Sequence, residues 1–387
     1  MIFIKLILLI FVSLVLFDLF LRFKPKSKLK IIPKSNSYKF NKLKDVGQYN
    51  CEFQIVNLSA NKETMIPNLF IEPKFLIENN IVKLNFQKSI YIDDGVSRKN
   101  INDYWQTIII KAKSSIKVSI SISLENANNK KVNYLWLRII WDNYGHFGLK
   151  QRENYFLVNK DIKHLKERKI KVIQIDKTCE AIAIKTNLLG AFDEPIQTIE
   201  NYCKDIIKKG DILVIGETPL AIMQGRYLSP KVLDYNFYTK ILCYFFHPTS
   251  SLATACGMQL LINKIGVTRI TISLLIGFLF KLIGIKGIFY ILAGKQSSLI
   301  DDISGTTIPY DKTIVLGPKN PENICNEISS LLKIDSAIAD VNDLGGVKIL
   351  ACSNQSIKKV LLHALKINPA GNDDQKTPIL LIRRISN

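Results

Sequence analysis

Lys209 to Arg226 reads KGDILVIGETPLAIMQGR, and the architecture of the second half of the chain follows from it. Lys209-Gly210-Asp211 is turn chemistry, with Gly210 free to take a positive φ. Ile212 to Ile215 is a short apolar run, the pattern of a strand buried on both faces. Gly216-Glu217-Thr218-Pro219 ends that strand and starts a helix, with Thr218 placed as N-cap and Pro219 at the first helical position. A strand–Gly–helix joint leaves backbone N–H groups converging on one spot, which suits a phosphate. The same four residues also make an ordinary βα joint. A P-loop is excluded, because no Gly-Lys-Ser/Thr follows at the required spacing.

On the N-terminal side, Ile170 to Ile175 begins a second, α/β region, and Glu194 to Lys209 carries Ile196, Ile199, Tyr202, Ile206 and Ile207 at helical spacing. On the C-terminal side, Thr249 to Ile265 reads as a helix stopped by Gly266. Ile270 to Leu292 is strongly apolar but interrupted by Lys281, Gly284, Lys286 and Gly287. Two lysines within a span are costly in lipid, so a buried or interface-lying hairpin is expected there rather than a second membrane span. Two acidic loops follow. Asp301 and Asp302 lie in a Ser/Thr/Gly-rich segment, and Asp340 follows the short strand Asp335 to Ala339. Carboxylates in such loops can hold Mg²⁺ or Mn²⁺ together with nucleotide phosphates, and the carboxyl end of a strand is where α/β proteins place ligand chemistry. Taken alone, each cluster is more often a capped turn.

The N-terminal half reads differently. Residues 1–22 are apolar apart from Lys5, Asp18 and Arg22, which predicts a transmembrane anchor. Lysines follow closely, so the positive-inside rule turns the domains toward the cytoplasm. No small-residue cleavage site follows the apolar run, which argues against a signal peptide. Residues 23–50 read as a basic linker. In residues 51–158, Ile116, Val118, Ile120, Ile122 and Leu124 alternate with Lys and Ser, and Leu135, Leu137, Ile139 and Trp141 alternate likewise. Short strands at regular spacing without helices predict a β-sandwich able to fold alone. Residues 168–387 form the mixed α/β domain. The fold class expected is therefore α+β and multidomain.

The chain of 387 residues is 47% hydrophobic and carries a net charge of +20. Its lysines are scattered and no RNA-binding aromatic motif is visible, so nucleic acid is not an expected partner. Seven cysteines without a C-x-x-C pair point to reduced thiols, and four scattered histidines argue against a zinc site.

The order of motifs resembles the coenzyme F420-0:gamma-glutamyl ligase family over about residues 170–383. The segments are GD…GR at 210–226, AG at 293–294 with ID at 300–301, IVLGP at 314–318, AD at 339–340 and AGN…PILLIR at 370–383. The resemblance leaves the anchor and sandwich as additions. It implies a GTP-dependent ligase with Mg²⁺ or Mn²⁺, joining glutamate to a small-molecule carboxylate through an acyl phosphate. It further implies nucleotide contacts at Gly210, Gly216, Thr218 and Arg226, metal ligands at Asp301, Asp302 and Asp340, and allows a homodimer. Asn372 stands where the family carries Glu, which keeps open a second reading: a non-catalytic, membrane-tethered binding or assembly module with the ligase fold.

Overall fold

The computed structural model describes residues 5, 9–17, 28–42, 46–77, 80–93, 98–100, 105, 107–125, 132–145, 147–160, 170–235, 237–248, 250–301, 307–341, 346–371 and 375–385. Two compact units emerge. One is built mostly of strands from 29–144, 149–232 and 301–387. The other contains 1–28, 145–148 and the helical segment 233–300.

Two antiparallel six-stranded sheets make the sandwich of the strand-built unit. One runs Leu29–Pro33, Val46–Asn57, Ser115–Glu125, Gln87–Asp93, Arg98–Asn100, with Lys39–Lys42 also paired to Val46–Asn57. The other centres on Tyr134–Gly145, flanked by Leu69–Ile77, Thr64–Ile66 and Gly148–Asn159. The alternation read in the sequence holds: Tyr49, Cys51, Phe53 and Ile55 are buried opposite Ile116, Val118, Ile120 and Ile122. Two expectations change. Strands begin at Leu29, inside the stretch read as linker, because Leu29, Ile31 and Tyr38 are buried between lysines that mask their periodicity. The sandwich core is also not closed by residues 51–158 alone. Phe192 packs on Phe53 at 5.2 Å, and Tyr310 packs edge-on against Trp136 at 5.1 Å. Leu188, Ala221, Tyr227 and Val315 join the same buried cluster.

The second sheet system of this unit has six strands: β1 (Ile170–Gln174), β2 (Cys179–Ile184), β3 (Ile212–Gly216), β4 (Asp335–Val341), β5 (Val347–Cys352) and β6 (Ile379–Arg384), in the order β1-β2-β6-β3-β4-β5. Only β3 and β4 run parallel; the other neighbours are antiparallel. The apolar run of β3 is buried on both faces, as its composition requires. Leu213 and Ile215 pack toward α1 (Pro195–Cys203), and Ile212 and Val214 lie in a separate cluster on the other face.

The helical unit contains α3 (Phe237–Cys243), α4 (Ala255–Ile265), α5 (Val267–Leu282) and α6 (Ile288–Ala293); α2 (Glu217–Met223) belongs to the strand-built unit. Gly266, at φ 86°, ends α4 as read and directly precedes α5. The α/β region 168–387 is thus not one body, because 233–300 separates from it. Of the expected anchor 1–22, Lys5 and residues 9–17 are helical and exposed, and the rest lies outside the described residues. Among the described residues no single helix, the described part of the expected N-terminal anchor included, is long and apolar enough to cross a membrane.

Candidate functional site

A cavity of about 410 Å³ opens at the carboxyl ends of the parallel pair β3 and β4. Gly216, Glu217, Thr218 and Pro219 line it from the end of β3, and Ala339, Asp340 and Val341 from the end of β4. Asp301 and Val315 form another wall, and Thr186 to Leu189, Ile222, Ala370, Gly371 and Lys376 to Pro378 are among the other lining residues. The parallel pairing brings Gly216 beside Ala339, so residues more than 120 positions apart in sequence face one space. The β4–β5 register shifts between Ile338 and Ala339, immediately before Asp340. Such an irregularity bends a strand and re-aims its next side chain.

Backbone pairing fixes Asp301. Its N–H donates to the Val315 carbonyl at 2.8 Å, and the Val315 N–H donates back at 2.9 Å. Ile314–Val315 pairs in turn with Tyr227–Leu228, so the GR and IVLGP motifs build one two-stranded ribbon that holds the acidic residue. Thr218 Oγ1–H donates to Asp301 Oδ2 at 3.3 Å. Asp302 lies outside the described residues.

Glu217 is the residue the sequence reading passed over. Burial, then the negative charges of Asp340 and Asp301, push its carboxyl up to about 8, while Lys348 pulls it the other way. Lys348 is the cross-strand partner of Asp340 on β5. A lone Glu in a turn gives no periodic signal. The available clue was position: Gly-Glu directly after a strand buried on both faces.

Two nucleotide-contact expectations fall elsewhere. Gly210 sits before β3, at the opposite end of that five-residue strand, which is itself roughly 16 Å long. Arg226 Nε–H donates to the Gly317 carbonyl, and Arg226 is not among the described residues lining the cavity. The helix start is also built differently from the expectation. Gly216, in extended conformation, is the N-cap and makes no side-chain cap bond, so Thr218 is already helical. The Gly216 N–H donates to Pro378 at 3.0 Å, which removes one amide from the expected phosphate cradle.

Among the described residues, no group of three His, Cys, Asp or Glu side chains could hold a metal ion. The carboxylates therefore form no closed protein cage. The hard oxygens of Asp301 and Asp340, at the edge of a roomy cavity, fit the open mode of Mg²⁺, which uses one or two carboxylates and completes its shell with water and phosphate.

Residues 34–162 match a family model described as the N-terminal Ig-like domain of F420-0:gamma-glutamyl ligase. The sandwich, read from the sequence as an addition to the ligase resemblance, is the segment that carries the match. A search of curated proteins finds no match. Among solved structures, the human CEP192 PapD-like domain 7 is similar at 11% identity over 36% of this chain and 89% of that one, with a TM-score of 0.23. A putative ApaA protein from Bordetella pertussis is similar at 10% identity over 35% and 94%, with a TM-score of 0.20. Scores this low carry no argument about this chain.

Proposed function

We propose that the protein is a membrane-anchored ligase of the F420-0:gamma-glutamyl ligase type, joining an amino acid to a carboxylate at the expense of GTP. The observation that carries this reading is the convergence of Glu217, Asp301 and Asp340 on one cavity at the carboxyl ends of a parallel strand pair. The family match of the sandwich supports it. Asp301 and Asp340 would hold Mg²⁺ or Mn²⁺ together with the nucleotide phosphates, where the ion offsets charge on the transferred phosphoryl group.

The chain's own groups divide the remaining work. The backbone bridge to Val315 keeps Asp301 in place, and Thr218 orients its carboxylate. Glu217 keeps its proton up to about pH 8, so at neutral pH it suits donating a hydrogen bond to an anionic group in the cavity. The cavity walls Leu188, Leu189 and Ile222 are apolar and limit water around the reacting groups.

Calorimetry of the full chain with GTP and Mn²⁺ tests the reading. Binding is expected, and Asp340→Ala should weaken it by at least about ten-fold, as loss of a group that holds or orients a metal does. An unmutated, folded protein that binds no GTP–Mn²⁺ would refute it and favour the non-catalytic binding module.

A further inference from the structure

The helical unit leaves large apolar side chains exposed on α5 and just past α3. One side of α5 is packed: Gly277 meets Phe289 of α6 so closely that an added Cβ would sit 3.1 Å from it, and Arg269 Nε–H donates to the Leu292 carbonyl at 2.8 Å. The other side carries Ile272, Leu275, Leu279 and Leu282 at helical spacing, 51 to 68% exposed. Across its 16 residues α5 buries only Ile270 and Ser273. Tyr244 and Phe245, just past α3, are 89 and 65% exposed. Exposed apolar area on this scale marks an interaction surface.

Charge identifies the occupant. From Tyr235 to Ile300 there are six Lys or Arg residues and no Asp or Glu. All six, Lys240, Lys264, Arg269, Lys281, Lys286 and Lys295, are exposed. A second copy of the chain would bring six more cations against these six. Geometry excludes a simple span: α5 is about 24 Å long, against a hydrocarbon core of about 30 Å, and it joins α4 at a bend of 112°. Apolar side chains on one face with cations around them are the features of a helix lying in a bilayer interface.

We propose that α5, its turn to α6 and the end of α3 dock on an anionic phospholipid surface, with Leu275, Leu279, Leu282 and Ile283 immersed at headgroup depth and Lys240, Lys281 and Lys286 against the lipid phosphates. This contact is separate from the N-terminal apolar stretch. It holds the helical unit flat on the membrane rather than across it.

The test uses the full chain carrying Leu282→Trp, reconstituted into vesicles with brominated acyl chains. The native Trp105, Trp136 and Trp141 lie in the strand-built unit and give a constant background. On vesicles containing phosphatidylglycerol, the added indole should lose at least about half its emission. On pure phosphatidylcholine it should lose little, and Lys240→Glu/Lys281→Glu/Lys286→Glu should restore the emission on the anionic vesicles. Ile291→Trp on α6 gives the same readout if the first variant perturbs α5. Unquenched indoles at both positions in vesicle-bound protein would overturn the proposal. So would equal quenching on both lipids, or an emission change that follows protein rather than lipid concentration, the mark of a second copy covering the face.

Discussion

Glu217 and its neighbours set a pH dependence that follows from their charges. The folded carboxyl titrates at about 8, against 4.5 for the free group, because burial and then Asp340 and Asp301 disfavour its ionised form. Between those two values the folded chain keeps a proton that the unfolded chain has lost. The stabilising contribution is full below about 4.5 and is lost as the pH rises toward about 8. Glu217→Gln should flatten this decline, read as denaturation midpoints at about pH 5 and about pH 8. A slope unchanged in the variant would place the titrating group elsewhere. Asp301 and Asp340 were legible from the sequence as loop carboxylates, but their meeting with Glu217 was not. Only the parallel pairing of β3 with β4 puts them in one space.

At the scale of elements, the strand β3 was legible throughout: turn, apolar run, glycine, helix. Helix α7 (Pro321–Leu332) starts on its proline, the position that residue favours. The purpose of Asp211 was not legible. Its side chain is only 1% exposed and accepts two bonds from Arg383, from Nε at 2.9 Å and Nη2 at 2.8 Å. The first and last motifs of the ligase resemblance therefore clamp β3 to β6, at the end of the sheet away from the cavity. Sequence order could not reveal this, because 172 residues separate the partners. Asp211→Ala should cost about 3 kcal/mol, the low end for stranding one member of a buried pair, since Arg383 keeps its bond to the Ile206 carbonyl. Chemical denaturation measures it. A loss below about 1 kcal/mol would reduce the pair to an ordinary surface bridge.

The whole molecule departs furthest from what the sequence suggests. Alternation shows which face of a sandwich strand is buried but not what closes the ends of the sheets, so the contributions of Phe192 and Tyr310 to the sandwich core were invisible. Asp193 extends that junction, accepting from Tyr38 Oη–H at 3.0 Å and from the Gly190 N–H at 2.8 Å. The helical segment enters and leaves the strand-built unit at two pinned points: Arg152 Nη1–H donates to the Val232 carbonyl at 2.7 Å, and Asp301 is bridged to Val315. Pinned ends make separate foldons, in which local opening need not spread. Amide hydrogens of α4 and α5 should therefore exchange through an opening that leaves β3 and β4 protected, with rates in the two sets differing by at least about ten-fold. Simultaneous exchange of both sets would show a single cooperative body. If the two sets separate, the helical segment can melt and re-form at a lipid surface while the acidic cavity stays assembled.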